Sequence, residues 1–172
     1  MATVNEVLTA MDDPGEDARV VLTIDENLRI VAVPSTAMVI GAKGDKDVNR
    51  IWFKINRTYR GTDLYGFVPK VYYTNALGQR FYYVCTDAVL EGEFILFSWL
   101  IGRNAVAETG TVSFGVCLQR GFENQVLQEF NTTTSTMRCI ESACDGNAVK
   151  DEAGESGIET LGGSILGRMV LG

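Results

Sequence analysis

Apolar residues concentrate in two neighbouring stretches near the middle of the chain, and these stretches predict two core strands. The run Phe94–Ile101 is apolar except for Ser98, and it is too short to span a bilayer. After a polar break, residues 111–118 alternate between apolar and small or polar side chains. Such alternation is typical of a strand with one face against a core. The apolar face carries Val112, Phe114, Val116 and Leu118.

Six further stretches have strand patterns, and short segments rich in Gly, Asn and Asp separate them. They are residues 20–24, 28–33, 51–56, 67–74, 80–86 and 125–134. About eight short strands with such turns predict an all-β fold, an antiparallel β-sandwich of immunoglobulin-like or jelly-roll type. We expect this sandwich to occupy residues 19–140.

Aromatic side chains gather in the predicted hairpin of residues 67–86. Aromatic pairs across strands stabilise a sheet, and we favour that role. Exposed aromatic rings would also suit a saccharide, and the residues considered as stacking platforms are Tyr72, Tyr73, Tyr82 and Trp52. Trp52 has two further interpretations, as a cover for the sandwich edge or as an anchor in a protein interface.

The N-terminal residues 1–18 predict a short amphipathic helix and an acidic linker. Thr3 and Glu6 have the spacing of a capping box, and Asp12-Asp13-Pro14-Gly15 is a turn signal. The apolar stripe of this helix consists of Val4, Val7, Leu8 and Met11. We expect the stripe to pack either on its own domain or on a neighbouring molecule.

The C-terminal residues 141–172 predict an extended arm. Residues 145–163 are rich in Gly, Glu, Ser and Ala, and the end of the chain is apolar again. An apolar end on a flexible arm suits a clasp on a neighbouring subunit, and a loose tail is the alternative. The candidate contacts are Ile165, Leu166, Met169, Val170 and Leu171.

Composition and charge restrict the partners. A chain of 172 residues with 46% hydrophobic residues is long enough for one domain with a core. Its net charge of -7 opposes binding to a phosphate backbone, so we expect no nucleic acid partner. The acidic first residues do not resemble a secretory signal, and no apolar run is long enough to span a bilayer. We therefore expect synthesis in a cytoplasm and no membrane partner.

The residue types argue against catalysis. The chain contains no histidine, which excludes nucleophiles activated by histidine and imidazole general bases within it. Glycoside hydrolysis needs a pair of carboxylates, and nothing in the sequence pairs any two of the candidates. These candidates are Asp63, Glu91, Glu93 and Glu108. We expect no catalytic residues and no enzyme activity.

No metal or cofactor site is expected either. The spacing of Asp45, Asp47 and Asn49 resembles the start of a calcium loop, but Arg50 and Asn56 stand where such a loop needs Gly and Glu.

The four cysteines also fit no metal or redox motif. Cys85 and Cys117 lie in apolar strands and are expected to be buried free thiols. Cys139 and Cys144 fit neither a zinc knuckle nor a redox motif, and the expected compartment disfavours a disulfide between them.

Five segments carry a resemblance to a known class of proteins. They are Leu22-Thr23-Ile24-Asp25 with Leu28-Arg29-Ile30, then Asp47-Val48-Asn49-Arg50-Ile51-Trp52-Phe53, then Val71-Tyr72-Tyr73-Thr74-Asn75-Ala76-Leu77-Gly78, then Phe97-Ser98-Trp99-Leu100-Ile101-Gly102-Arg103, and Gln128-Glu129-Phe130-Asn131-Thr132-Thr133. Together they resemble a module of virion structural proteins from phages and prophages of Firmicutes. The layout is similar to that of the N-terminal domain of baseplate upper proteins, from residue 20 to about residue 140.

The resemblance implies a non-enzymatic component of a phage particle. Such a protein would dock on the capsid or on the tail or baseplate, as a decoration or adaptor protein. Its expected partners are other virion proteins and further copies of itself, and its expected location is the virion. Because this chain ends soon after the sandwich, we expect no fibre shaft or receptor-binding head. A carbohydrate-binding module for attachment to the host surface is the alternative function.

Overall fold

A computed structural model of the chain describes residues 19–144, and within them nearly all regular structure is β. The strands of this part of the chain are β1 (Val20–Asp25), β2 (Ile30–Ala32), β3 (Val39–Ala42), β4 (Asn49–Asn56), β5 (Thr58–Tyr59), β6 (Thr62–Asp63), β7 (Val68–Thr74), β8 (Arg80–Val84), β9 (Val89–Glu91), β10 (Phe94–Ile101), β11 (Gly110–Phe122), β12 (Gln125–Asn131) and β13 (Ser135–Ile140). A 3-10 turn, Ser35–Ala37, follows Pro34 after β2.

The strands form two main sheets. The first sheet has the order β2-β1-β4-β10-β9. The second sheet has the order β3-β13-β11-β7-β8, and β12 pairs with the C-terminal half of β11. Strands β5 and β6 make a separate small ribbon. The predicted all-β sandwich is therefore confirmed.

The core lies between the two sheets and is rich in aromatic rings. Phe53 on β4 and Phe97 on β10 stack with their ring centroids 5.4 Å apart. Trp99 on β10 reaches across to Phe114 on β11 at 5.7 Å and to Tyr73 on β7 at 5.0 Å. These contacts join the sheets, and all five rings are buried. Offset and edge contacts between rings add to the free energy gained from burial alone.

The pairing of the two central strands differs from their order in the sequence. Strands β10 and β11 follow each other along the chain, but β10 pairs with β4 and β9, whereas β11 pairs with β7, β12 and β13. Each strand lies inside a different sheet, so residues 102–109 carry the chain from one sheet to the other.

The expectation of wholly antiparallel sheets is wrong for two pairs of strands. Strands β1 and β4 run parallel, and so do β3 and β13. A parallel pair needs a long crossover connection. The crossover between β1 and β4 contains β2 and β3, and β3 belongs to the second sheet, so the chain visits both sheets before β4.

Two predicted elements lie outside the described residues. They are the N-terminal helix with its linker and the C-terminal arm, so the expected boundaries after residue 18 and residue 140 stay predictions. These segments contain most of the predicted partner contacts, which are Val4, Val7, Leu8, Met11, Ile165, Leu166, Met169, Val170 and Leu171.

Candidate functional site

An apolar groove opens between the first residues of β1 and β4 on one sheet and β3 on the other. We call it the Trp52 groove, and its volume is about 330 Å³. Its walls include Val20, Val39, Val48 and Trp52. Its floor is formed by the buried core residues Ile40, Ile51 and Met137. The groove therefore lies directly over an edge of the core, whose residues stay buried beneath it.

The charged residues of the Trp52 groove are arginines. The guanidinium of Arg19 lies over the indole of Trp52, 4.5 Å from the ring centroid. Arg50 also lines the groove. Val48 is 75% exposed and Val39 is 52% exposed, which is high for branched apolar residues. An apolar surface with positively charged neighbours suits an apolar partner that carries acidic groups.

A second apolar surface lies at the tip of the β11–β12 hairpin, which we call the hairpin tip. Its exposed residues are Phe122, Val126 and Leu127. The tip extends beyond the last residue of β11 that pairs with β7, Gln119. Glu123 and Asn124 at the turn both have positive φ, as a two-residue turn between twisted strands requires. The hairpin tip thus presents apolar side chains away from the core.

The outer face of the second sheet carries two of the predicted stacking residues. Tyr72 and Tyr82 are exposed, and their ring centroids are 5.6 Å apart. Beside them is a groove of about 440 Å³ above Gly115, whose missing side chain leaves the space open. Polar side chains on its rim include Arg80, Asn131 and Thr132. We call this region the tyrosine face.

The other two proposed stacking residues are less accessible. Tyr73 faces the core and contacts Phe81 at 5.5 Å and Trp99 at 5.0 Å, so no ligand can lie on its ring. Trp52 is half-buried and one face of its indole is covered by Arg19. The register of β7 and β8 pairs Tyr72 with Tyr82 and Tyr73 with Phe81, which confirms the predicted aromatic pairs across strands.

A hydrogen-bond cluster continues the tyrosine face along β11 and β12. The carboxylate of Glu129 accepts hydrogen bonds from Gln119 Nε2 at 2.5 Å and Asn131 Nδ2 at 3.2 Å, and from the thiol of Cys117. These donors lower the pKa of Glu129, with the Gln119 bond as the largest cause. Burial, followed by the bond to Glu129, raises the pKa of Cys117 to about 12, so this thiol stays protonated.

The candidate carboxylates of a glycosidase do not behave as a catalytic pair. Asp63 accepts two hydrogen bonds from Arg57, at 3.0 and 2.8 Å, and these lower its pKa. The pKa of Glu108 is also lowered, first by the backbone N–H of Thr109 and then by Lys43. A general acid needs a raised pKa, so both shifts have the wrong direction. Glu91 and Glu93 are exposed.

In the polar loop of residues 43–49, the carboxylate of Asp45 stabilises a turn. Asp45 Oδ2 accepts hydrogen bonds from the N–H of Ala42 at 2.9 Å and from Asn49 Nδ2 at 3.0 Å. Within residues 19–144, no group of three His, Cys, Asp or Glu side chains is arranged to hold a metal ion. In the same range, no helix is long and apolar enough to cross a membrane.

The two cysteines whose location the sequence predicted lie where they were expected. Cys85 and Cys117 are buried free thiols, as predicted. Burial raises the pKa of Cys85 to about 12. Cys139 is also a buried free thiol, so it forms no disulfide with Cys144, which lies at the surface.

Sequence reasoning identified Trp52 but not its surroundings. The hydrophobic pattern gave no reason to place Val39 and Val48 beside Trp52, because both lie outside the stretches with a strand pattern. It also missed the hairpin tip, although the adjacent pair Val126-Leu127 breaks the alternation of β12 and was a usable signal.

No family model and no curated protein matches the chain. Among solved structures, the chain is similar to the N-terminal domain of phage TP901-1 ORF48. The two share 11% sequence identity with a TM-score of 0.46, and the alignment covers 72% of this chain and 98% of that domain.

Proposed function

We propose that this chain is a non-enzymatic structural component of a phage particle. In this role it docks on the capsid or on the tail or baseplate, as a decoration or adaptor protein, through protein–protein contacts. The sequence resemblance of five strand segments to virion structural proteins supports the class of protein. The apolar groups exposed on the surface of a packed sandwich support contact with other proteins as its mode of action.

One observation carries the proposal: the protein has a tightly packed core and, in addition, exposes apolar side chains on its surface that do not belong to this core. The aromatic core joins both sheets and contains no buried side-chain nitrogen or oxygen without a partner among the described residues. Outside this core, the Trp52 groove and the hairpin tip expose branched and aromatic side chains at two distinct places. Contiguous apolar surface on a folded domain is typical of protein contact sites.

We assign the partner contacts to the apolar residues of the two ends and to Trp52. The apolar stripe around Leu8 precedes the acidic residues 12–17, and the apolar end at residues 165–171 follows the Gly- and Glu-rich residues 145–163. These connecting stretches would let both apolar segments reach a neighbouring subunit. Particle assembly by exchanged chain ends gives strong attachment, because each end is held at high effective concentration once its subunit is bound.

Deletion of residues 165–172 tests this assignment. We expect particles assembled with the shortened chain to contain much less of it, because the apolar clasp is lost. A matched variant that lacks residues 154–161 loses the same length from the arm but keeps the apolar end, and it should be incorporated normally. Circular dichroism would show whether both variants keep the β-sandwich. Normal incorporation of the chain without residues 165–172 would contradict the clasp.

The tyrosine face favours a second candidate function, a carbohydrate-binding module. Tyr82 is 60% exposed and Tyr72 44% exposed, and the adjacent groove has polar rim residues that suit hydroxyl groups. A glycan array distinguishes the two functions. A particle protein that acts by protein contacts should show no saccharide preference. Binding to a defined glycan that disappears in the Tyr72→Ser/Tyr82→Ser variant would favour the module instead.

A further inference from the structure

The Trp52 groove has the chemistry of a binding site for an apolar and acidic segment. Its walls expose Val39 and Val48, and its floor reaches the core at Ile51. Its charged residues are Arg19 and Arg50. A volume of about 330 Å³ lies at the lower end of the range for ligand pockets, which suits a few aliphatic side chains better than a whole domain.

The N-terminal segment of the same sequence has the complementary chemistry. Residues 1–18 contain five acidic residues and no lysine or arginine. Their apolar residues recur at the spacing of one helix face, and they are Val4, Val7, Leu8 and Met11. Amphipathic segments of this kind bind in apolar grooves through residues at helical spacing. The charges also match, because the segment is acidic and the groove carries the positive charge of Arg19, whereas its other arginine, Arg50, lies 3.7 Å from the carboxylate of Asp87.

The residues that follow this segment in the chain, Arg19 and Val20, line the groove and are the first residues that the structure describes. Between the stripe and Arg19, four of the six residues 12–17 are acidic. The seven residues 12–18 can span at most about 23 Å, at about 3.3 Å per residue, so the stripe is able to reach a groove on another molecule.

We propose that the Trp52 groove binds the apolar stripe of residues 4–11 from a second copy of the chain. The proposal rests on the proposed function, in which copies of the chain assemble with each other, and it names the surfaces that they use. Groove and stripe are different surfaces of one molecule, so the contact is head-to-tail. Contacts of this type form rings or open chains of subunits, whereas a self-complementary patch forms a closed dimer.

Complementation between two variants of the full chain tests the proposal. Leu8→Asp removes an apolar residue from the stripe and leaves the groove intact. Val48→Asp places a negative charge on the exposed groove wall and leaves the stripe intact. Neither variant should associate with itself. Mixed together, they should form a complex of one copy of each and nothing larger, because one intact groove and one intact stripe remain. Native mass spectrometry, with the variants distinguished by isotope labelling, measures the stoichiometry.

Two matched substitutions serve as controls. Thr9→Asp adds the same charge to the N-terminal segment away from the stripe, and Val89→Asp makes the same change at an exposed position of β9, outside both the groove and the hairpin tip. Both controls should associate like the unmodified chain. Circular dichroism of all four variants would confirm that the sheets are retained.

Three results would overturn the proposal. One is an unmodified chain that stays monomeric at every concentration. Another is self-association by Leu8→Asp or Val48→Asp to the same extent as by the controls. The third is the absence of a mixed complex, which would indicate that the stripe packs on its own groove or that the copies associate elsewhere. All of these measurements use the purified chain, so they are independent of whether the protein enters particles.

Discussion

The side chain of Asp87 accepts the backbone hydrogen bond of Ser98 that the carbonyl of a neighbouring strand would otherwise accept. Strand β9 pairs with β10 only at residues 94–96, so the ladder ends before Ser98. The carboxylate of Asp87 accepts the Ser98 N–H at 2.9 Å and also the Ser98 hydroxyl hydrogen. Arg50 donates to the same hydroxyl at 2.6 Å and lies 3.7 Å from the carboxylate. Ser98 is only 1% exposed, so water cannot replace these bonds easily.

We therefore expect Asp87→Ala to lower the free energy of unfolding by about 1–3 kcal/mol, the usual cost of a buried donor without a partner. Urea unfolding measures the change. Glu91→Ala, at an exposed carboxylate on the neighbouring strand, should stay within about 0.5 kcal/mol of the unmodified chain. An Asp87→Ala variant as stable as Glu91→Ala would show that the carboxylate does not hold the end of the ladder.

Asp63 makes a small contribution to stability that depends on pH. Arg57 and the N–H of Tyr65 lower its pKa below the usual value of 3.8 in the folded state. A lowered folded-state pKa stabilises the fold above the usual pKa, and this stabilisation is lost as the pH falls through the folded-state pKa. The unmodified chain should therefore exceed Asp63→Asn in stability near neutral pH, and the difference should close below about pH 4.

Thermal unfolding of both proteins between neutral and acidic pH measures this difference. Glu91→Gln removes an exposed carboxylate and serves as the control. The pair of Asp63 and Arg57 is exposed to solvent, so the effect should also shrink at high salt. A difference that does not change with pH would contradict the ion pair as its source.

At the scale of the elements, the hairpin tip depends on a glycine. The register of β11 and β12 shifts between Arg120 and Gly121, which marks a bulge. A Cβ atom at Gly121 would collide with the backbone oxygen of Gln125. A Cβ atom at Gly102, in the loop after β10, would meet its nearest neighbour at an ordinary 3.8 Å. The two glycines therefore differ in the space that surrounds them.

This difference predicts opposite responses to the same substitution. Gly121→Ala should destabilise the protein by about 1–3 kcal/mol, as overpacking usually does, and should speed hydrogen exchange in residues 120–128. Gly102→Ala should leave both the stability and the exchange of this hairpin unchanged. Hydrogen exchange with mass spectrometry resolves the segment. Equal effects of the two substitutions would mean that the bulge can rearrange around a methyl group.

The strands that the sequence predicted best are those with a clear apolar face. Strand β4 buries Ile51, Phe53 and Ile55, which are the residues that its alternation indicated. Strand β13 was not predicted because too few of its residues are apolar. Only Met137 and Cys139 face the core, and the residues next to them are polar or charged, namely Ser135, Thr136 and Arg138. Strands β3, β5, β6 and β9 have two to four residues each, too few for a periodic pattern.

At the scale of the whole molecule, the all-β sandwich followed from the pattern, but the pairing of strands distant in sequence did not. Pairing depends on contacts between residues far apart in sequence, such as Trp99 with Tyr73, and no local pattern encodes them. The Trp52 groove was hidden for the same reason, since it joins the start of β1 to β3 and β4. The chemistry of single residues was more predictable, as the buried thiols of Cys85 and Cys117 show.

The same contacts at long range explain why this fold suits a structural role. Five of the ten strand pairs of the described chain join strands that do not follow each other in sequence, and contacts between aromatic rings connect the two sheets. Under the proposed function, the groove, the hairpin tip and the chain ends are the parts that meet other proteins. Interfaces built on rigid elements lose less conformational entropy when they form.

The amount of this chain in purified phage particles tests the central claim most directly. The proposed function implies that a phage or prophage encodes the chain; particles of that phage would be purified through a density gradient, and quantitative mass spectrometry would give the copies of this chain per copy of the capsid and tail proteins. The account predicts a fixed ratio to one of these proteins that persists through repeated purification. Particles that lack the chain, with all of it recovered outside them, would contradict the account.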